Sequence, residues 1–279
     1  MVDQTRRRPM DQQLLSRWLT DLDVPWRQVT VVSSTGSTNA DALAAVGAGA
    51  AEGWVLTADE QVSGRGRLTR AWVSAPGAGI AVSVVLRPRT PPATWGWLPL
   101  LVGTAAAVAL RACVPVDVEL KWPNDLVVDR GPRAGLGKLG GILVERAPLP
   151  APAVVVGVGV NIDLAAQELP GPAATSLRLL SPTVPDREQV TARLLAELHS
   201  RYAAWQDADG DPEACGLRDA YQQLSATIGR HVSLALPGDT TVEGVATALD
   251  GAGRLLVDDG VTLRAFAAGD VVMTRPSGH

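Results

Sequence analysis

Cysteine, histidine, lysine and net positive charge are all scarce in this 279-residue chain. Two cysteines, Cys113 and Cys215, cannot make a disulfide framework. The fold must therefore rest on its core, and two thiols suit a reducing compartment. Three scattered histidines, His199, His231 and His279, lack the spacing of a zinc site or of a histidine-base constellation. A net charge of −4 and a pI near 5.4 argue against a general nucleic-acid binder, which needs a basic surface to displace counterions. The start "MVDQTRRRPMDQQLL" is basic but has no apolar segment of signal-peptide type behind it, so a cytoplasmic protein is expected. Thr90 to Leu110 carries no charge and is long enough to span a bilayer. Pro91, Pro92 and Pro99 interrupt it, and the apolar helical part left over is of core-helix length, so no membrane partner is expected.

Lysine is the most informative shortage. Of 25 basic residues only Lys121 and Lys138 are lysine. Arginine stands wherever charge alone suffices, so a retained lysine marks a place where a guanidinium, differing in shape, hydration and acidity, will not serve. The two lie close together in the chain.

At 46% hydrophobic residues, a large core is available. Leu14, Leu15, Trp18, Leu19 and Leu22 fall at helical spacing over 10–23, and Pro25 ends that helix. Strands are predicted at "WRQVTVVS", "GWVLTADE", "GIAVSVVLRP", "VELKWP", "DLVVD", "KLGGILVERA" and "APAVVVGVGVNID". A helix follows the first of these, capped by Ser37 or Thr38 with Asp41 in its first turn. Further helices are predicted at 95–113, 186–205 and 212–224, and 164–182 reads as loop. After about Ala226 come four short strands separated by Gly and Asp turns, a small all-β module. The class is α+β: a mixed-sheet domain followed by a small barrel-like one. We divide it as an N-terminal helix or extension at 1–28, a large domain at 29–225 and the β module at 226–279.

Within this frame, "GLGKLG" (Gly135 to Gly140) fits the dinucleotide pattern, yet a strand follows it where a helix is required. "GRGRLTRAW" (Gly64 to Trp72) combines glycines, whose backbone N–H groups can face an anion, with Arg65, Arg67 and Arg70, which can fork onto phosphate oxygens. "KWPND" sets Asn124 and Asp125 at a strand junction. "GKLGGILVE" sets Lys138 at a strand start beside small residues, and the glycines of "GVGVN" suggest close approach by a ligand or another backbone.

Together "STN", "EQVSGRGR", "KWPND", "KLGGILVE", "GVGVNI" and "ATSL" resemble the biotin protein ligases, from about Val29 to the end of the chain. The resemblance implies a catalytic domain related to lipoate ligases and class II synthetases, with an SH3-like barrel appended. It implies an enzyme that activates biotin with ATP as biotinyl-5′-AMP and transfers it to a lysine of a biotin carboxyl carrier protein. Carried over by motif, Ser37, Thr38, Asn39 and Gln61 face the biotin ring. Arg65, Gly66, Arg67 and Gly140 belong to the biotin and carboxylate site. Trp72, Asn124 and Asn161 join Arg67 and Lys138 at the nucleotide. Lys138, Arg67 and Asp125 are the catalytic set, with Lys138 as a point charge between carboxyl oxygen and α-phosphate, and Asp125 serving the acceptor amine. Mg2+ travels with ATP, with no dedicated protein metal site. The family's usual glycine is replaced here by Thr69. Some family members carry an N-terminal DNA-binding domain; about 28 residues before the first strand leave room for one helix, so a monofunctional ligase without nucleic-acid binding is expected, as is a weak homodimer. A lipoate or octanoate ligase and a non-enzymatic biotin sensor are the alternatives.

Overall fold

The structure is a computed structural model that describes residues 7–26, 28–67, 70–73, 75–131, 134–148, 152–236 and 240–274. Thr69 lies outside the described residues.

Seven strands make the larger sheet: β1 Gln28–Val32, β2 Trp54–Ala58, β3 Gly79–Leu86, β4 Glu119–Lys121, β5 Asp125–Asp129, β6 Leu136–Arg146 and β7 Val154–Asn161. Their order is β1-β2-β3-β7-β6-β5-β4. β1 and β2 are parallel and every other neighbouring pair is antiparallel. The sheet is therefore mixed, as its sequence pattern implies.

β3 and β7 are rich in valine because helices cover one face along its length and part of the other. Ile80, Val82, Val84, Val154, Val156, Val158 and Val160 point into the main core. That core is closed by α1 Gln12–Asp21, α3 Leu98–Cys113 and α5 Arg187–Asp207, with α3 packed on α5 and on β6. α2 Thr38–Gly47 covers the other face, where Ala42 and Val46 meet Val85 and Val155. The charge-free stretch forms a 3₁₀ turn, Pro92–Trp97, leading into α3. It is the one described helix long and apolar enough to cross a membrane, yet 72% of its most apolar window is buried inside the fold.

Residues 164–182 contain a 3₁₀ turn, Ala166–Glu168, and a short α-helix, α4 Leu177–Leu180, that their composition hides. The stretch 212–224 starts its helix late, as α6 Leu217–Leu224, after Gly216 at φ 69°.

The second sheet is antiparallel throughout. It comprises β8 His231–Leu236, β9 Thr240–Leu249, β10 Leu255–Asp258, β11 Leu263–Phe266 and β12 Asp270–Met273, in the order β11-β10-β9-β8-β12. β12 escaped the sequence reading. It has only four residues and pairs with β8, far back in the chain, so no local pattern announces it. The two sheets are joined by packing. The Trp97 Nε1–H donates to Gly251 O at 3.0 Å, and a Cβ on Gly96 would stand 2.2 Å from Ala252 O. Trp122 is 2% exposed, and its backbone N–H donates to the Thr227 hydroxyl at 3.0 Å.

Candidate functional site

On the α2 face of the large sheet, the side chains at alternate positions are small. The register aligns Ala81 with Gly159 and Gly141, and Ser83 with Gly157 and Leu143. Of these, Ala81, Gly141, Leu143, Gly157 and Gly159 floor a cavity of about 310 Å³. A strand of valines would have filled this space; alternate glycines keep it open.

The strand glycines have a further cause. A Cβ on Gly157 would stand 2.1 Å from Asn39 Oδ1, and one on Gly159 would stand 2.5 Å from the Trp72 ring. The close approach expected from "GVGVN" is thus made by two side chains as well as by the cavity above.

The wall on the α2 side is a polar cluster. Ser37 is the N-cap of α2, its side chain accepting from Ala40 N–H, and Thr38 is the first helical residue. Gln61 Oε1 accepts from the Thr38 backbone N–H at 2.8 Å and from its hydroxyl at 3.0 Å. The Ser83 hydroxyl lies 2.6 Å from Asn39 Oδ1, and Asn39 Nδ2–H donates to Glu145 Oε2 at 2.8 Å. Ser37, Thr38 and Asn39 are all less than 5% exposed, so their orientations are fixed before anything enters.

Across the mouth lies the Gly64–Trp72 loop. It folds back on itself: Trp72 N–H donates to Gly64 O at 2.8 Å, and Gly66 N–H to Arg70 O at 2.7 Å. A Cβ on Gly64 would meet Trp72 O at 2.5 Å, which makes that glycine necessary. The Arg67 guanidinium donates to Asn124 Oδ1 at 3.1 Å. Asn124 Nδ2–H in turn donates to Ile142 O at 2.7 Å, so "KWPND" supports the loop.

The cations converge. Lys138 Nζ is 2.6 Å from Asp125 Oδ1, and Arg70 pairs with Asp270 of β12. Arg65 lies 3.9 Å from Glu145. Among the described residues Arg67 and Lys121 have no ion-pair partner, although both line the cavity. Burial lowers the pKa of each, against the pull of Asp125 and Asp270. Hydrogen bonding from Arg70 holds the Asp270 carboxyl below its ordinary value. The cavity therefore has a small neutral floor, a polar inner wall and a cationic rim, an arrangement that stabilises an anion with an uncharged body.

Of the residues singled out by sequence, Ser37, Thr38, Asn39, Gln61, Arg65, Gly66, Arg67, Trp72, Asn124, Asp125 and Lys138 all line this cavity. Gly140 and Asn161 do not. A Cβ on Gly140 would point at Gly159 O and Leu126, on the core side. Asn161 is 3% exposed and uses its Nδ2–H on Thr175 O at 3.0 Å, closing the neck of the following loop. Lys121 and Asp270 line the cavity without having been assigned to it. The lysine shortage pointed to Lys121; nothing local pointed to Asp270.

The sequence profile described as the Biotin/lipoate A/B protein ligase family matches residues 31–163, and that of the Biotin protein ligase C terminal domain matches 227–273. The biotin–[acetyl-CoA-carboxylase] ligase of Mycobacterium tuberculosis is 43% identical over 281 residues, covering 99% of this chain and 100% of that one. The enzyme of the same name from Paracoccus denitrificans is 30% identical, covering 81% of this chain and 92% of that one. A solved biotin protein ligase from Aquifex aeolicus, in complex with biotin and ATP, superposes with a TM-score of 0.74 at 23% identity, covering 89% of this chain and 99% of that one.

Proposed function

The chain belongs to the biotin protein ligases, and from that premise we propose that it activates biotin with ATP and transfers it to a lysine of a carrier protein. The observation that carries this reading is the joining of two environments in one cavity: the polar wall of Thr38, Asn39 and Gln61, and the cationic rim of Arg65, Arg67 and Lys138. A fused ureido ring wants fixed small donors and acceptors. A carboxylate meeting a triphosphate wants positive charge that excludes water.

In the first step a biotin carboxylate oxygen attacks the α-phosphorus of ATP. The bond to the β-phosphate bridging oxygen breaks, and pyrophosphate leaves. Two anions must meet, and Lys138, reaching over the floor from β6, is the point charge between them. Arg67, held at its Asn124 contact, neutralises the phosphate side, and Trp72 offers its ring to the adenosine. Magnesium enters on the ATP phosphates in this reading. The cavity carboxylates Asp125 and Asp270 are each already paired with a cation, a donor set that suits an ion carried by substrate.

In the second step the ε-amine of the acceptor lysine attacks the carbonyl carbon of the mixed anhydride, and AMP leaves with the bonding electrons. The amine must be uncharged to attack, and Asp125, a cavity carboxylate, is the group we assign to receive its proton. The acceptor in this reading is a biotin carboxyl carrier domain of an acyl-CoA carboxylase, in keeping with the acetyl-CoA carboxylase in the M. tuberculosis relative's name. We take the protein to be cytoplasmic.

Incubation with ATP, magnesium and pyrophosphatase tests the reading. Phosphate should appear with biotin and not with lipoate or octanoate. Release with lipoate instead would move the protein to the lipoate ligases, and binding of biotin without release would make it a sensor.

A further inference from the structure

Arg7 and Arg8, in the basic start of the chain, have no part in the chemistry above, yet the structure gives them specific partners. Arg7 is 16% exposed in its side chain. Its Nε–H donates to Asp163 Oδ2 at 3.2 Å, and one Nη donates to Asp163 O at 2.7 Å. The same guanidinium holds both oxygens of Glu168, at 3.0 and 2.5 Å. Glu168 also accepts from the Ala165 N–H at 2.7 Å. One planar fork thus ties together both ends of the segment 163–168, a use that a lysine could not fill.

Arg7 is itself fixed. Arg187, 8% exposed, donates to Arg8 O at 2.6 Å and to Asp59 Oδ1 at 2.6 Å. Asp59 accepts from Met10 N–H at 3.0 Å, and Glu188 accepts from Asp11 N–H at 2.7 Å. The arm 7–11 is therefore bolted to α5 and to the end of β2.

The segment that Arg7 grips continues to the cavity. Lys138 N–H donates to Ala173 O at 2.7 Å, and Thr175 N–H to Lys138 O at 2.9 Å. The far end of loop 163–175 is therefore a ladder partner of Lys138 itself. The near end is held by Arg7, and the neck is closed by Asn161 on Thr175 and by Ser176 on Leu164 O at 2.6 Å.

We propose that Arg7 is a positioning residue for the adenylation step: by pinning 163–168 to the N-terminal arm it fixes the loop that sets the backbone of Lys138. The inference rests on the role given to Lys138 above. It predicts a separation of effects, because the polar wall assigned to the biotin ring is built from α2, Gln61 and Ser83, which among the described residues share no hydrogen bond with the arm or the loop.

The test uses the full chain with Arg7→Met, Glu168→Gln and the double variant. Amide exchange over 163–175, measured without substrate, should quicken in each. Single-turnover adenylate formation should slow by roughly tenfold or more, as expected when a reacting group loses its alignment. The biotin dissociation constant should change far less than this rate, because only the Lys138 contact to the carboxylate is disturbed. The double variant should be no slower than the worse single one, since both remove the same contact. Unchanged exchange, unchanged adenylation, or a parallel fall in biotin affinity and rate would each overturn the proposal. If Arg7→Met does not fold, Glu168→Gln decides alone. Wild-type protein that exchanges as expected but forms no adenylate would sink the function and this inference's catalytic half, leaving only a tether.

Discussion

Lys121 and Lys138, the only two lysines in the chain, line the same cavity. That much was legible in composition, because an arginine-rich sequence spends lysine where shape matters. Lys138 sits 2.6 Å from Asp125 and above Gly141, a space matched to a compact ammonium. Lys138→Arg keeps the charge but brings a larger planar group. It should lower adenylate formation by at least about 100-fold while leaving thermal stability close to wild type; a variant that still forms adenylate at the normal rate would remove the point-charge role. The floor glycines allow a sharper test. At an unstrained glycine in open space, alanine usually stabilises by roughly 0.4–1 kcal/mol. At Gly159 its Cβ would lie 2.5 Å from the Trp72 ring, so the sign should reverse. Gly159→Ala should cost about 1–3 kcal/mol and weaken nucleotide binding together, as read by chemical denaturation and ATP titration. Stabilisation would mean that Trp72 does not rest on the floor. The sequence flagged these glycines as sites of close approach, but the identity of the approaching groups, Asn39 and Trp72, depends on contacts between residues far apart in the chain.

Elements read differently according to their length and partners. The long apolar strands β3 and β7 and the helices α3 and α5 declared themselves by period, because each buries a continuous face. β12 and α4 did not, since four residues carry no period and long-range pairing decides them. Residues 164–182 read as loop, yet their first part, up to Thr175, is tied by Arg7, Asn161 and Lys138. Its acid partner gives a pH signature. Hydrogen bonding from Arg7 is the first cause holding the Glu168 carboxyl below its ordinary 4.5. A depressed carboxylate stabilises the fold fully above its unfolded value and ceases to do so as pH drops through the folded one. Unfolding free energies measured from pH 6 down to pH 3 should therefore decline less steeply in Glu168→Gln than in wild type, with the curves diverging most above pH 4.5 and closing below it. Parallel curves would show that the contact contributes nothing.

At the scale of the whole molecule, the sequence announced a small β unit following the mixed sheet, and the structure has a second, antiparallel sheet there, but nothing local announced how the two meet. Trp97 is fully buried, with its Nε1–H on Gly251 O, and Asp270 reaches the cavity rim through Arg70. Both contacts pair residues more than 150 positions apart, beyond any local signal. Trp97→Ala should cost about 3–5 kcal/mol, and tryptophan fluorescence and far-UV circular dichroism should still report one coincident unfolding transition; two separated transitions would mean that the sheets are energetically independent. We propose that one cavity both forms a biotinyl adenylate and keeps it. The most direct measurement is to incubate the protein with biotin, ATP and magnesium without any acceptor, pass it through a desalting column, and determine by mass spectrometry what remains bound. About one equivalent of biotinyl-5′-AMP per chain is expected, discharged to AMP when a carrier domain is added. Recovery of biotin and intact ATP alone, with no mixed anhydride, would contradict it.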